Sequence, residues 1–138
     1  MTPVLADSSF FVAFYNQRES AHRRCVAAYQ SIESPLMTCE GCITEALHIL
    51  GHAAPAVDNI LASIESGSIR MPVHLDDHAV QLRELMRKYR DTPVDFAGAC
   101  LIHMADELDT GDILTLDSDF RHYRWRRNRA FNLLVPLN

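Results

Sequence analysis

Asp7, Glu45, Asp95 and Asp117 each stand just beyond an apolar run or in the first turns of the helical segment that follows one. Carboxylates that converge repel one another unless a cation offsets them, and their hard oxygens suit Mg²⁺ or Mn²⁺. A pocket of four such acids points to metal-assisted hydrolysis of a phosphodiester bond, in which one or two ions activate water and stabilise the leaving oxygen. Taken singly, the residues have plainer uses. Asp7 before Ser8 and Ser9 can cap a helix, Asp95 can interact with a helix N-terminus three residues after Thr92, and Asp117 can serve a turn. Glu45 is expected to be half-buried, because Ile43, Ala46, Leu47 and Leu50 form one apolar stripe and Cys42, Ile49 and His52 flank it; a half-buried Glu needs a partner.

Three further groups carry chemistry on paper. Cys39-Glu-Gly-Cys42 follows a short apolar run and precedes a helical one, where a helix N-terminus lowers a thiol pKa; this supports a thiol–disulfide oxidoreductase as the alternative reading. The same pair lacks the second Cys-x-x-Cys of a zinc site. Glu45, His48 and His52 resemble half of a helical iron site without its second half, so both histidines read as packing or surface residues, and the other five show no ligand pattern. Finally, residues 121–129 are basic and interleaved with Tyr123 and Trp125. Arg121, Arg124, Arg126 and Arg127 are candidates to meet RNA phosphates, and Trp125 to stack on an unpaired base, against the plain reading of a solvated loop with one buried Trp.

The elements that would position these residues alternate. Strands are expected over 3–6, 35–38, 69–73, 113–116 and 131–135. Helices are expected from about Phe10, then over 21–32, 43–50, 57–64, 76–89 and 94–108. Gly51 and Gly67 are placed as left-handed helix ends. Alternation without hairpin dipeptides predicts a three-layer α/β/α sandwich around a mainly parallel sheet, with ligands at the carboxyl ends of its strands.

With 138 residues the chain is expected to be a single domain, residues 1–138, and its 48% hydrophobic content supplies a core without disulfide staples. Its net charge of −5 means that any nucleic-acid contact must come from a local cluster. Twelve of the thirteen basic residues are Arg, Lys88 being the exception, and Arg favours bidentate phosphate recognition. The four cysteines read as reduced thiols, the opening residues do not read as a leader, and no apolar run is long enough to span a bilayer. The expectation is a cytoplasmic protein with no membrane association.

The opening VLADSSFFVAF, the ITEALHIL segment, DFAGACLIHMADEL and LTLDSDF occur in an order and spacing that resemble the PIN-domain ribonucleases, in particular the VapC toxins of type II toxin–antitoxin pairs. The resemblance covers nearly the whole chain. It implies a Mg²⁺- or Mn²⁺-dependent endoribonuclease acting on structured RNA such as transfer or ribosomal RNA. Asp7, Glu45, Asp95 and Asp117 would be its metal-binding catalytic acids, Ser9 would support them, and Asp119 would be a weaker fifth acid. It also implies a homodimer and a VapB-like antitoxin whose C-terminal segment fills the site. A catalytically silent PIN-like module that grips a basic peptide is the remaining alternative.

Overall fold

The computed structural model describes residues 2–137. Five strands form one parallel sheet: β1 (Val4–Ala6), β2 (Leu36–Met37), β3 (Ile69–Arg70), β4 (Asp112–Leu114) and, as the last strand of the chain, β7 (Asn132–Leu133). Their spatial order is β3-β2-β1-β4-β7, with Val4 opposite Leu36 and Leu5 opposite Ile113. Connections run outward from β1 through β2 to β3, then return to its other side at β4. The strand order therefore reverses between β1 and β4, the place where open parallel sheets bind ligands beyond their carboxyl ends.

Alternation along the strands divides the core. Val4, Ala6, Leu36, Ile69 and Leu114 face one side, where they pack with Phe10, Phe11, Cys25, Ile43 and Ile60 of helices α1 (Ser8–Phe14), α2 (His22–Gln30), α3 (Glu40–Ile49) and α4 (Ala54–Ser66). Leu5 and Ile113 face the other, against Leu101, Ile102 and Met104 of α6 (Phe96–Leu108), with α5 (Leu75–Lys88) outside. Period-two side chains on a sheet covered by helices on both faces produce the three-layer sandwich.

The expected order of elements holds, but three local expectations need correction. Helix α6 does not start at Val94: Asp95 is extended (φ −81°, ψ 170°) and caps the helix from outside. Gly51 is not a left-handed terminus, since α3 ends at Ile49 with Leu50 as its cap, whereas Gly67 does adopt φ 87°. A hairpin is present after all. Strands β5 (Arg124–Trp125) and β6 (Arg129–Ala130) pair antiparallel around Arg126 and Arg127, whose φ angles of 44° and 71° are left-handed. Arginine gives no turn signal in sequence. Here tertiary contacts impose the conformation: Asp106 Oδ1 accepts from Arg126 N at 2.6 Å, and Asp109 pairs with the Arg126 guanidinium at 3.2 Å.

The hairpin rests on the sheet through Trp125, which is buried and donates Nε1–H to Ala130 O. Its indole lies over Gly111, where any Cβ would collide with it, so this glycine is required for close approach. No helix among the described residues is long and apolar enough to cross a membrane.

Candidate functional site

Asp7 leaves the carboxyl end of β1, and its backbone N–H donates to Leu114 O at the end of β4. The side chain is 8% exposed and collects a dense set of donors. Oδ1 accepts from Ser8 N at 2.8 Å and more weakly from Ser8 Oγ at 3.4 Å; Oδ2 accepts from Thr115 Oγ1 at 2.9 Å and Ser9 Oγ at 3.0 Å. Asp7 thus is the helix cap that its sequence context allows, and it also sits at the β1/β4 reversal. Burial pushes its carboxyl above the ordinary range. The hydrogen bonds from Thr115, Ser9 and Ser8 oppose that rise, and the charge of Asp117 adds to it.

Hydroxyl groups link Glu45 and Asp117 to Asp7. Ser8 Oγ donates to Glu45 Oε1 at 2.7 Å, so one serine lies between two carboxylates from different helices. Thr115 Oγ1, which donates to Asp7, accepts from Asp117 N at 3.0 Å, and Asp117 in turn caps the 3-10 turn Ser118–Arg121 through Asp119 N. Ser9 Oγ accepts from Leu116 N at 2.9 Å, tying the start of α1 to the end of β4. The expectation that Glu45 is half-buried is corrected. It is exposed, as are Ile49 and His52, because α3 turns that face to solvent, and its placement rests on the Ser8 contact.

Asp95 approaches from α6, with Oδ1 accepting from Gly98 N at 2.7 Å. A Cβ at residue 98 would lie 2.9 Å from that oxygen, so any larger residue would displace the carboxylate. Tyr123 steadies the preceding loop by donating its hydroxyl to Pro93 O at 2.9 Å. Burial pushes the Tyr123 phenol up to about 12, and the charges of Asp119, Asp117 and Asp95 add to the rise.

Cys39, Cys42 and Cys100 occupy the ground between Asp7 and Asp95. Cys42 Sγ lies 3.9 Å from Asp7 Oδ1 and 3.5 Å from Cys39 Sγ, and the Asp95 charge reaches Cys100. Cys39 is the cap residue of α3. Contact with the Cys100 and Cys42 thiols pulls the Cys39 thiol down, while contact with Cys39 and burial push Cys42 and Cys100 up. Cys39 and Cys42 are 6% and 0% exposed. A disulfide exchange partner must reach the attacking sulfur, so this burial counts against the oxidoreductase alternative.

Among the described residues, none of the four acids forms a salt bridge with a basic side chain. The donor set is all oxygen, its charge is uncompensated by protein cations, and Asp7 is held above its ordinary pKa. These features fit a hard divalent cation. The four acids are not drawn into one tight triad: the group of three ligand atoms lying within 4.8 Å of one another is His78, His103 and Glu107. That cluster, able to chelate a metal ion, belongs to α5 and α6. His103 stands eight residues beyond Asp95, roughly 12 Å along the helix axis.

The basic segment differs from its sequence reading. Tyr123 and Trp125 are buried, at 5% and 7% exposure, so the expectation that Trp125 stacks on RNA is corrected: its ring is packed over Gly111 with Arg129 above it at 5.2 Å. Arg126 is committed to Asp106 and Asp109, and Arg124 donates to the carbonyls of Arg121 and Tyr123. Arg121 and Arg127 are exposed and form no ion pair among the described residues. Sequence reasoning missed Ser8, Thr115 and Gly98. Thr115 had a legible signal, two residues before Asp117 at the end of a buried strand; the closeness of Gly98 to Asp95 required coordinates.

A reversal point at the carboxyl edge of a short parallel sheet, with Asp7 joined there through hydroxyls to Glu45 and Asp117, points to a class of protein. The PIN domain family model matches residues 4–126, and the chain belongs to that family. Among solved structures, Mycobacterium tuberculosis VapC20, described as a Sarcin-Ricin loop cleaving toxin, superimposes with a TM-score of 0.75 at 19% identity, covering 84% of this chain and 91% of that one. At that identity the likeness speaks for the fold. No curated protein matches the sequence.

Proposed function

We propose that the chain is, as one domain over residues 1–138, a Mg²⁺- or Mn²⁺-dependent endoribonuclease and the toxin of a toxin–antitoxin pair. The observation that supports the proposal is the hydroxyl-bridged group of Asp7, Glu45 and Asp117 at the β1/β4 edge, with Asp95 capping α6 and, among the described residues, no basic side chain paired with any of the four. Asp7, Asp95 and Asp117 are the residues that would hold the ion, with Glu45 binding it or orienting the attacking water, and Asp119 outside them. Once bound, such an ion supplies Lewis acidity at the phosphate and lowers the pKa of water, so no histidine base is required.

The protein's own groups arrange the pocket. Ser9 and Thr115 fix one carboxylate oxygen of Asp7, and Ser8 holds Glu45 at a set distance from the other. Gly98 and Tyr123 set the position of Asp95. Arg121 and Arg127 extend from the same C-terminal region as Asp117, where they would meet backbone phosphates of the substrate, with Arg124 and Arg126 bracing the segment. Structured RNA of the transfer or ribosomal type is the substrate class, and the sarcin-ricin specificity named for the M. tuberculosis neighbour makes a ribosomal stem-loop the first substrate to try. A VapB-like antitoxin, a homodimer and a cytoplasmic setting complete the reading.

The test is to map RNA 5′ ends after brief induction of the wild-type chain beside Asp7→Asn. New ends confined to the wild type support the proposal. Identical end maps, with both proteins accumulating to the same level, would instead favour a catalytically silent module.

A further inference from the structure

We propose that His78, His103 and Glu107 form a transition-metal site, suited to Zn²⁺, that clamps α5 to α6 and is separate from the carboxylate pocket. His103 Nε2 lies 2.9 Å from His78 Nδ1, and Glu107 Oε1 lies 3.7 Å from the first nitrogen and 3.9 Å from the second. A point equidistant from atoms with those three separations is about 2.1 Å from each, which matches ordinary zinc–imidazole and zinc–carboxylate bond lengths. The separations are thus of a size to take an ion, which would replace the hydrogen bond that now joins the two imidazoles.

Local structure explains the meeting. His103 and Glu107 are four residues apart on α6 and so share one helix face. His78 comes from α5 at the residue where that helix departs from helical geometry, with φ −128° and ψ 15°. The rings meet edge to face at 4.9 Å between centroids. His103 is 6% exposed, while the side chains of His78 and Glu107 are 21% and 42% exposed, so three protein ligands face a fourth position open to solvent. Two imidazoles and one carboxylate select zinc, nickel or copper over magnesium. His103 also lines a cavity of about 420 Å³ between α5 and α6, alongside His74, Leu82, Phe96 and Cys100, so a bound ion would fasten the two walls of that cavity together.

Two observations on the metal-stripped full chain test this: calorimetric titration with ZnCl₂, and the visible spectrum with Co²⁺. The expected result is one ion per chain, cobalt d–d bands of a low-coordinate nitrogen–oxygen site, and a raised thermal midpoint. His78→Ala and Glu107→Gln, both at solvent-accessible positions, should each weaken Zn²⁺ binding by at least about tenfold, as loss of even outer-shell partners commonly does. Mg²⁺-supported RNA cleavage by Glu107→Gln should stay at the wild-type rate. Absence of zinc binding to the wild type, unchanged affinity in both variants, or a near-ultraviolet thiolate-to-cobalt band assigning the ion to Cys39, Cys42 and Cys100 would each overturn the site. Because none of these readouts depends on RNA cleavage except the last control, the site and the nuclease reading can fail separately.

Discussion

Replacing Gly98 with alanine should cripple RNA cleavage while leaving the stability of the fold nearly unchanged. The new Cβ would sit 2.9 Å from Asp95 Oδ1 and 3.2 Å from Val94 Cγ2, so the carboxylate must shift and the 2.7 Å bond from Gly98 N must lengthen or break. Losing an N-cap contact costs about 1 kcal/mol. Alanine is favoured over glycine inside a helix by about the same amount, roughly 1 kcal/mol. The two terms oppose each other, and the net change in unfolding free energy should be close to zero. Catalysis has no such compensation, since a reacting group moved by about 1 Å can cost on the order of 100-fold in rate; for a smaller shift a loss of roughly tenfold or more is expected. Urea unfolding gives the first quantity, and initial cleavage rates at saturating Mg²⁺ on a structured RNA give the second. Wild-type cleavage by a variant of unchanged stability would refute the placement of Asp95 in the reacting centre.

Asp7→Asn should remove a pH dependence as well as activity. Burial raises the Asp7 carboxyl, so the fold favours its protonated form; that stabilisation is fully present below the unfolded value near 3.8 and lost as pH rises through the folded one. Without divalent metal, wild type should therefore lose stability relative to Asp7→Asn as pH is raised from about 4 toward neutrality. Parallel urea-unfolding profiles would contradict the sign. Thr115→Val keeps the shape but strips Asp7 Oδ2 of a donor and Asp117 N of its acceptor, and should cost about 1–3 kcal/mol, with Thr115→Ser restoring most of it. Trp125→Ala should destabilise by about 3–5 kcal/mol as a core deletion. Arg121→Gln with Arg127→Gln should instead leave stability intact and flatten the salt dependence of RNA binding, measured by fluorescence anisotropy; an unchanged slope would remove the phosphate role.

The element order and the candidate status of Asp7, Glu45, Asp95 and Asp117 could be read from sequence because both depend on short-range pattern. Apolar runs alternate with amphipathic segments, and an acid after each run lands on the same sheet edge whatever the loop details. What escaped depended on contacts between distant segments. The apolar pattern alone puts Asp95 inside α6, whereas its extended backbone and its bond from Gly98 N make it the cap. Glu45 was judged from a helical stripe that ignores which side of α3 has a neighbour, and it proved exposed. The Arg126–Arg127 turn adopts left-handed angles that arginine does not favour, held by Asp106 and Asp109 from α6. Trp125 looked available for stacking because nothing local marks Gly111 as the surface it covers. The reading that His78 and His103 belong to no ligand pattern is corrected: His103 meets Glu107 across one helical turn, and His78 joins them only through the packing of α5.

The most direct measurement is cleavage of one structured RNA by the purified chain, titrated with MnCl₂ or MgCl₂ after chelator treatment, in wild type and in Asp7→Asn, Asp95→Asn and Asp117→Asn. The account predicts no cleavage without divalent ion, saturable cleavage with it in the wild type, and near-complete loss in all three variants although each remains folded. Metal-independent cleavage, or full activity in any one of the three, would contradict the claim that these carboxylates jointly hold the catalytic cation.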